Sequence, residues 1–188
     1  MACILTAGRE LPCKEYSGGV KEVLFIGSNQ FYDFKGALTI DGTNDNITAI
    51  AGSADTFQAF RYDLKPGAGN TFIETIEANE EGGIAYSQEL NISLNGFSNT
   101  WRKELILLAR NRRLLIAVRD SNENLWLMGY DNGAEVTGGS HDRGAVLSDF
   151  TGSKLTFTAM TTKPAYAFAA FTTNPFDNFA AVEVSPSY

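Results

Sequence analysis

Ile84-Ala-Tyr-Ser-Gln-Glu-Leu-Asn-Ile-Ser-Leu94 is the stretch whose reading decides the fold. Its even positions are Ile84, Tyr86, Gln88, Leu90, Ile92 and Leu94, and its odd ones are Ala85, Ser87, Glu89, Asn91 and Ser93. Mostly apolar residues at every second position turn one face of an extended chain toward a core, so a half-buried strand is expected. After Asn95-Gly-Phe97 the period changes. Trp101, Leu105 and Leu108, with Ile106 and Ala109 beside them, fall on one side of a helical repeat, which predicts a helix over about residues 99–111. Ser98 or Asn99 supplies an acceptor for the free N–H groups of its first turn. Arg110, Arg112 and Arg113 place positive charge where the last carbonyls lack partners. Leu114 to Val118 and Leu125 to Tyr130 then flank Asp120-Ser-Asn-Glu-Asn124, whose residue types tolerate unusual backbone angles, and the spacing predicts a hairpin.

Outward from this centre the chain reads as short strands and turns. Val20 to Ile26 is a strand that ends in the core, and Phe31, Tyr32 and Phe34 form a packed loop or an interaction surface. Ala37 to Ile40 and Ile47 to Ala51 are strands on either side of the turn-forming Asp41 to Asn46. Phe57 to Leu64 and Thr71 to Ala78, divided by Lys65 to Asn70, are expected to pair as a long antiparallel hairpin that feeds into Ile84 through Asn79 to Gly83. A hairpin of that length needs a neighbouring sheet, so it is expected to join subunits. Asn132-Gly133 and Gly138-Gly139 read as turns around a short extended piece, Ala134 to Thr137. A loop up to Gly152 then carries His141, Asp142, Arg143 and Asp149. Lys154 to Met160 alternates Leu155, Phe157 and Ala159 with threonines, a half-buried strand. The expected organisation is one β-rich domain over residues 1–163, with Met1 to Gly19 lying over its surface. Residues 164–188 follow as a C-terminal strand and arm that contacts neighbouring subunits.

With 188 residues, 44% of them hydrophobic, the chain can bury one core without needing two domains. The 13 Phe, 7 Tyr and 18 Gly, the glycines mostly between apolar runs, favour a mainly β domain. A formal net charge of −7 argues against a broad basic surface, and so against sequence-reading nucleic-acid binding. No apolar run has the length of a membrane span and the N-terminus lacks a leader pattern, so a soluble, non-exported chain is expected. Cys3 and Cys13 are expected as free thiols, because no histidine cluster accompanies them.

The search for chemistry-bearing motifs returns mostly structural readings. His141, the single histidine, sits in His141-Asp-Arg143, where a carboxylate could steer an imidazole; no nucleophile is linked to it in sequence, and a polar loop is the expected role. Asp120, Asn122 and Asn124 alternate as in a calcium loop, but Leu125 occupies the place of the needed glycine, so a hairpin turn is expected. Asn46-Ile-Thr48 and Asn91-Ile-Ser93 match the glycosylation pattern without an export signal and are expected to be unmodified. Gly138-Gly139 lacks the lysine and helix of a phosphate cradle. No catalytic residue, cofactor-binding residue or metal ligand is expected.

Five segments carry a resemblance: Leu5 to Lys14, Gly18 to Val23, Arg102 to Leu105, Glu135 to Gly139, and Ser148 to Thr158. Together they resemble a group of structural proteins of tailed bacteriophages, over most of the chain up to about Pro164. The resemblance implies a non-enzymatic virion protein, assembled in the host cytoplasm, with no cofactor and no membrane partner. The order of elements is similar to that of tail tube proteins. This implies an α+β, mainly β fold, an antiparallel sandwich or barrel with one flanking helix, that forms stacked hexameric rings and meets other virion proteins. DNA would contact it only by non-specific passage through the lumen, which an acidic balance suits. Other virion positions with the same composition are head decoration, collar and head–tail adaptor proteins. Outside virions, a carbohydrate-binding β-sandwich would use exposed aromatic residues, but Trp101 on the helix and Trp126 in the hairpin are expected in the core.

Overall fold

The computed structural model describes residues 17–65, 68–78, 82–96 and 98–185. The expectations for Cys3, Cys13 and most of the N-terminal surface segment lie outside the described residues. In chain order the strands are β1 (Val20–Ile26), β2 (Leu38–Ile40), β3 (Asn46–Ile50), β4 (Phe57–Asp63), β5 (Thr71–Ala78) and β6 (Ile84–Asn95), then β7 (Leu115–Asp120), β8 (Leu125–Met128), β9 (Glu135–Asp142), β10 (Gly152–Thr161), β11 (Tyr166–Phe168) and β12 (Val182–Ser185). The helices are α1 (Phe31–Ala37) and α2 (Asn99–Arg110).

The strands build two open sheets. Eight lie in the order β12-β4-β1-β7-β8-β11-β3-β2, and four in the order β5-β6-β10-β9. The fold is mainly β with helices added, as expected, and it takes the sandwich form, since neither sheet closes on itself. The layers meet through alternate residues. Val23 and Phe25 of β1 and Ile116 and Val118 of β7 share one core with Leu90, Ile92, Leu155 and Phe157 of the small sheet. Phe25 and Phe157 stack across the gap with ring centroids 5.2 Å apart.

The large sheet is covered on its other face as well. Leu24, Ile26, Leu115 and Ala117 pack there against Phe31 and Phe34 of α1 and against Phe168, Phe176 and Phe179 near the C-terminus. Burial on both faces explains why β1 and β7 read as continuous apolar runs and not as alternating ones. Phe31 and Phe34 therefore belong to a short core helix, where a packed loop or surface was expected. The segment after Pro164 is also woven into the domain, so residue 163 is no boundary. β11 pairs with β8 and β3, β12 runs parallel to β4, and Phe176 lies deep in the core. The expected strand is present, while the expected arm is, through Ser185, part of the chain's own sheet and core.

The long hairpin expected over Phe57 to Gly83 does not form. β4 pairs with β1 and β12 in the large sheet, whereas β5 pairs with β6 in the small one. The connection after Leu64 instead carries the chain from one layer to the other. Asn70, buried at its end, fixes that crossing: its amide donates to the Lys65 carbonyl and its side-chain oxygen accepts the Ser93 N–H at 2.7 Å.

α2 closes one side of the sandwich. Ser98 caps it by accepting the Trp101 N–H, and Trp101, Leu105 and Leu108 face the core shared by the sheets. Trp101 packs on Tyr62, whose hydroxyl is pushed up to about 12 by burial, with Glu104 adding to the shift. Ile106 and Ala109, expected beside the buried stripe, are exposed instead.

Candidate functional site

Among the described residues the small sheet leaves its outward face and both lateral edge strands uncovered. Its central strand β6 divides at Gln88. Toward the C-terminal end, Leu90, Ile92 and Leu94 are buried against the large sheet. Gln88, 1% exposed, spans the layers: its side-chain oxygen accepts the Gly129 N–H at 3.0 Å, and its amide donates to Glu74 Oε1 at 2.9 Å. The same Glu74 oxygen accepts the Ala165 N–H at 2.7 Å. A buried amide with both halves satisfied marks a polar limit to the core. Beyond it the β5–β6 pair continues with Ile76 opposite Tyr86 and Ala78 opposite Ile84. Ile76 and Ile84, on the face that is buried further along, are 66% and 59% exposed.

Among the described residues both lateral edges of this sheet are unpaired: β5 pairs only with β6 and β9 only with β10, so each has one row of backbone groups turned outward. From Ile73 to Ala78 every residue of β5 is exposed, as is most of β9. Exposed edge strands are templates for further pairing, and natural proteins either cover them or use them.

Charge is divided between the two sides. Residues 66–101 contain five glutamates, at 74, 77, 80, 81 and 89, and no lysine or arginine. Residues 102–113 then carry five bases, Arg102, Lys103, Arg110, Arg112 and Arg113, against Glu104 alone. The first group includes β5, the second α2, which packs beside β9 at the opposite edge. Arg102, Lys103 and Arg110 make no ion pair among the described residues, and Ile106 and Leu107 lie exposed between them on the solvent side of the helix.

The residues singled out in sequence serve the fold. His141 and Asp142 end strand β9 and do not lie in a loop, because Gly138 and Gly139 are extended residues paired with β10 and not a turn. A Cβ at Gly139 would meet the Lys154 carbonyl at 2.9 Å, so close strand approach explains the glycine. His141 Nδ1 lies 2.9 Å from Ser153 Oγ, a pairing that no sequence motif announced and that only the β9–β10 register creates. Ser153 is fully buried, so its hydroxyl cannot approach a substrate carbonyl. Asp142, the next residue on the strand, accepts from the Gly144 N–H, and the alternation of strand side chains turns it to the face opposite His141. The arrangement is a cross-strand contact and not a steered nucleophile and base.

Asp120 builds the β7–β8 turn. Its two oxygens accept the N–H groups of Asn122 and Asn124, the Asn124 amide and the Trp126 indole N–H. Asn122 exchanges two hydrogen bonds with the backbone of Ser17. These groups are therefore already occupied, and among the described residues no cluster of carboxylates, His or Cys is placed to hold a metal. The Asn91 amide donates to Glu89 and Thr71 and its oxygen accepts from Thr156, so this asparagine is engaged in the sheet surface. Both tryptophans contribute to the fold, although the buried Trp101 indole N–H has no partner among the described residues. No helix among the described residues is long and apolar enough to cross a membrane.

One buried charge escaped the sequence reading. Glu22, 2% exposed on β1, receives Arg119 at 2.7 Å and Arg61 at 2.8 Å from the flanking strands. Arg119 also meets Glu123 and lies over the Phe171 ring. Although burial works against its charge, the hydrogen bonds that Arg119 donates to Glu22 and Glu123 raise its pKa. The cluster ends the second core with paired charges, a structural use.

In comparisons with known proteins, no family model, no curated protein and no solved structure matches this chain.

Proposed function

We propose that the protein is a non-enzymatic structural component of a bacteriophage virion that assembles with copies of itself, and that its place is the tail tube. The observation that carries the reading is the four-stranded sheet whose two exposed edges, on opposite sides of one subunit, are unpaired among the described residues. Pairing an edge of one copy with the other edge of the next satisfies both rows of backbone groups, and a head-to-tail contact of this kind generates a ring when the rotation closes. The resemblance to tailed-phage structural proteins supports the virion setting, and the similar order of elements supports the tail tube and a hexameric ring.

Beyond Glu89 the outward face of β6 and β10 carries Asn91, Ser93 and Thr156 with one base, Lys154. In a ring closed through this sheet such a face would offer DNA a polar wall with little positive charge, suited to passage without adhesion. Negative-stain microscopy of the purified protein tests the reading: rings or stacked tubes are expected. A protein that stays monomeric under all salt conditions contradicts it.

A further inference from the structure

We infer that α2 is the docking face for the β5–β6 hairpin of a second copy of this chain. The inference rests on the self-assembling reading above and is narrower, since it names the surfaces that meet.

The two surfaces match in charge and in apolar content. One is acidic and free of bases, with Glu77 and Glu89 exposed beside Ile73 on the outward face of the pair. The other is basic, with Lys103 and Arg110 placed around Ile106 and the 55% exposed Leu107. They cannot satisfy each other within one molecule. β5 forms one edge of the small sheet and α2 sits beside the other edge, on the order of 14 Å away across four strands. A contact between them must join two copies, and because the surfaces differ it is heterologous and repeats from copy to copy.

Charge also explains why the contact has to be ordered. Chains of net charge −7 repel one another in most orientations, and the arrangement that lays the basic helix on the acidic edge is the one in which the local field is attractive. Exposed isoleucine and leucine at the centre of each surface then lose water together, while charges at the rim set the register.

A charge exchange tests this. One variant carries Lys103→Glu with Arg110→Glu, the other Glu77→Lys with Glu89→Lys, and all four side chains are exposed. By sedimentation at low ionic strength the wild type is expected to associate, and added salt to weaken it. Each variant alone should associate about tenfold or more weakly, and an equimolar mixture should recover association, because each supplies the face that the other now fits. Melting curves establish that the variants fold. Should one lose its cooperative transition, Leu107→Ser or Ile73→Ser replaces it and is expected to weaken association as well. Variants that assemble like the wild type, or a mixture that fails to recover, overturn the contact and leave the ring reading standing. A wild type that never associates overturns both.

Discussion

β1 and β5 are strands of similar length that meet opposite fates. Six of the seven residues of β1 are buried, while six of the eight in β5 are exposed. β1 lies between β4 and β7, with a layer on each face; β5 forms an edge and continues past the point where Gln88 closes the core. The contrast separates two roles within one sandwich. Stability resides where both faces are covered, and the surfaces available to other molecules are those that this core does not need.

Substitutions at the covered end should therefore have the largest effects. Phe157→Ala removes the ring that meets Phe25 between the layers and should destabilise by about 3 to 5 kcal/mol. Chemical denaturation that finds less than half of this would mean that the sheets are not joined through Phe157. Leu105→Ala, on the buried side of α2, should cost about 2 to 3 kcal/mol, and an unchanged melting temperature would place the helix outside the core. Ile76→Ser, beyond the Gln88 bridge, should alter the stability of the isolated chain by no more than about 0.5 kcal/mol.

Acid should act between these extremes. The Asp177 carboxyl is held well below the usual range by the Thr172 hydroxyl and by the N–H groups of residues 172–174. Burial opposes the charge of Asp131, yet hydrogen bonds from Thr162 and nearby lysines lower its pKa. Side-chain hydrogen bonds from Lys21 and Arg119 lower that of Glu123. Groups with folded pKa values below their unfolded ones stabilise fully above about pH 4. That contribution is lost as the pH falls through the folded values. The melting temperature should consequently drop on acidification below about pH 4, and Asp177→Asn should make the drop shallower. A melting temperature that is flat into this range would contradict the assignment.

Periodicity made the long elements legible. β6, α2 and β10 lie close to where apolar spacing puts them, because each has one partner layer and enough residues to show a repeat, while β1 and the β7–β8 hairpin, buried on both faces, were legible as apolar runs bounded by turn residues. The missed parts lack one of these conditions. α1 is a seven-residue helix containing Gly36, too short for a repeat to appear. β11 and β12 have three and four residues, and the phenylalanines between them fill a core without any period. Pairing was least legible: nearness in sequence suggested β4 with β5, but the crossing between layers is set by buried Asn70 and by partners far along the chain. The same limit hid His141 beside Ser153 and the two arginines around Glu22, because strand register alone creates those contacts. The opposite charges of residues 66–101 and 102–113 were present in the sequence, but their placement at opposite sides of a sheet required the fold.

Amide hydrogen exchange under dispersed and associated conditions tests the division between core and assembly surfaces most directly. In dispersed protein at high salt, the amides of β1 and β7 should be the slowest to exchange, and those of β5 among the fastest of any strand. On association at low salt, β5 and α2 should gain protection while β1 and β7 remain as they were. Equal protection of β5 in both states, or new protection confined to the ends of the large sheet, would contradict the account.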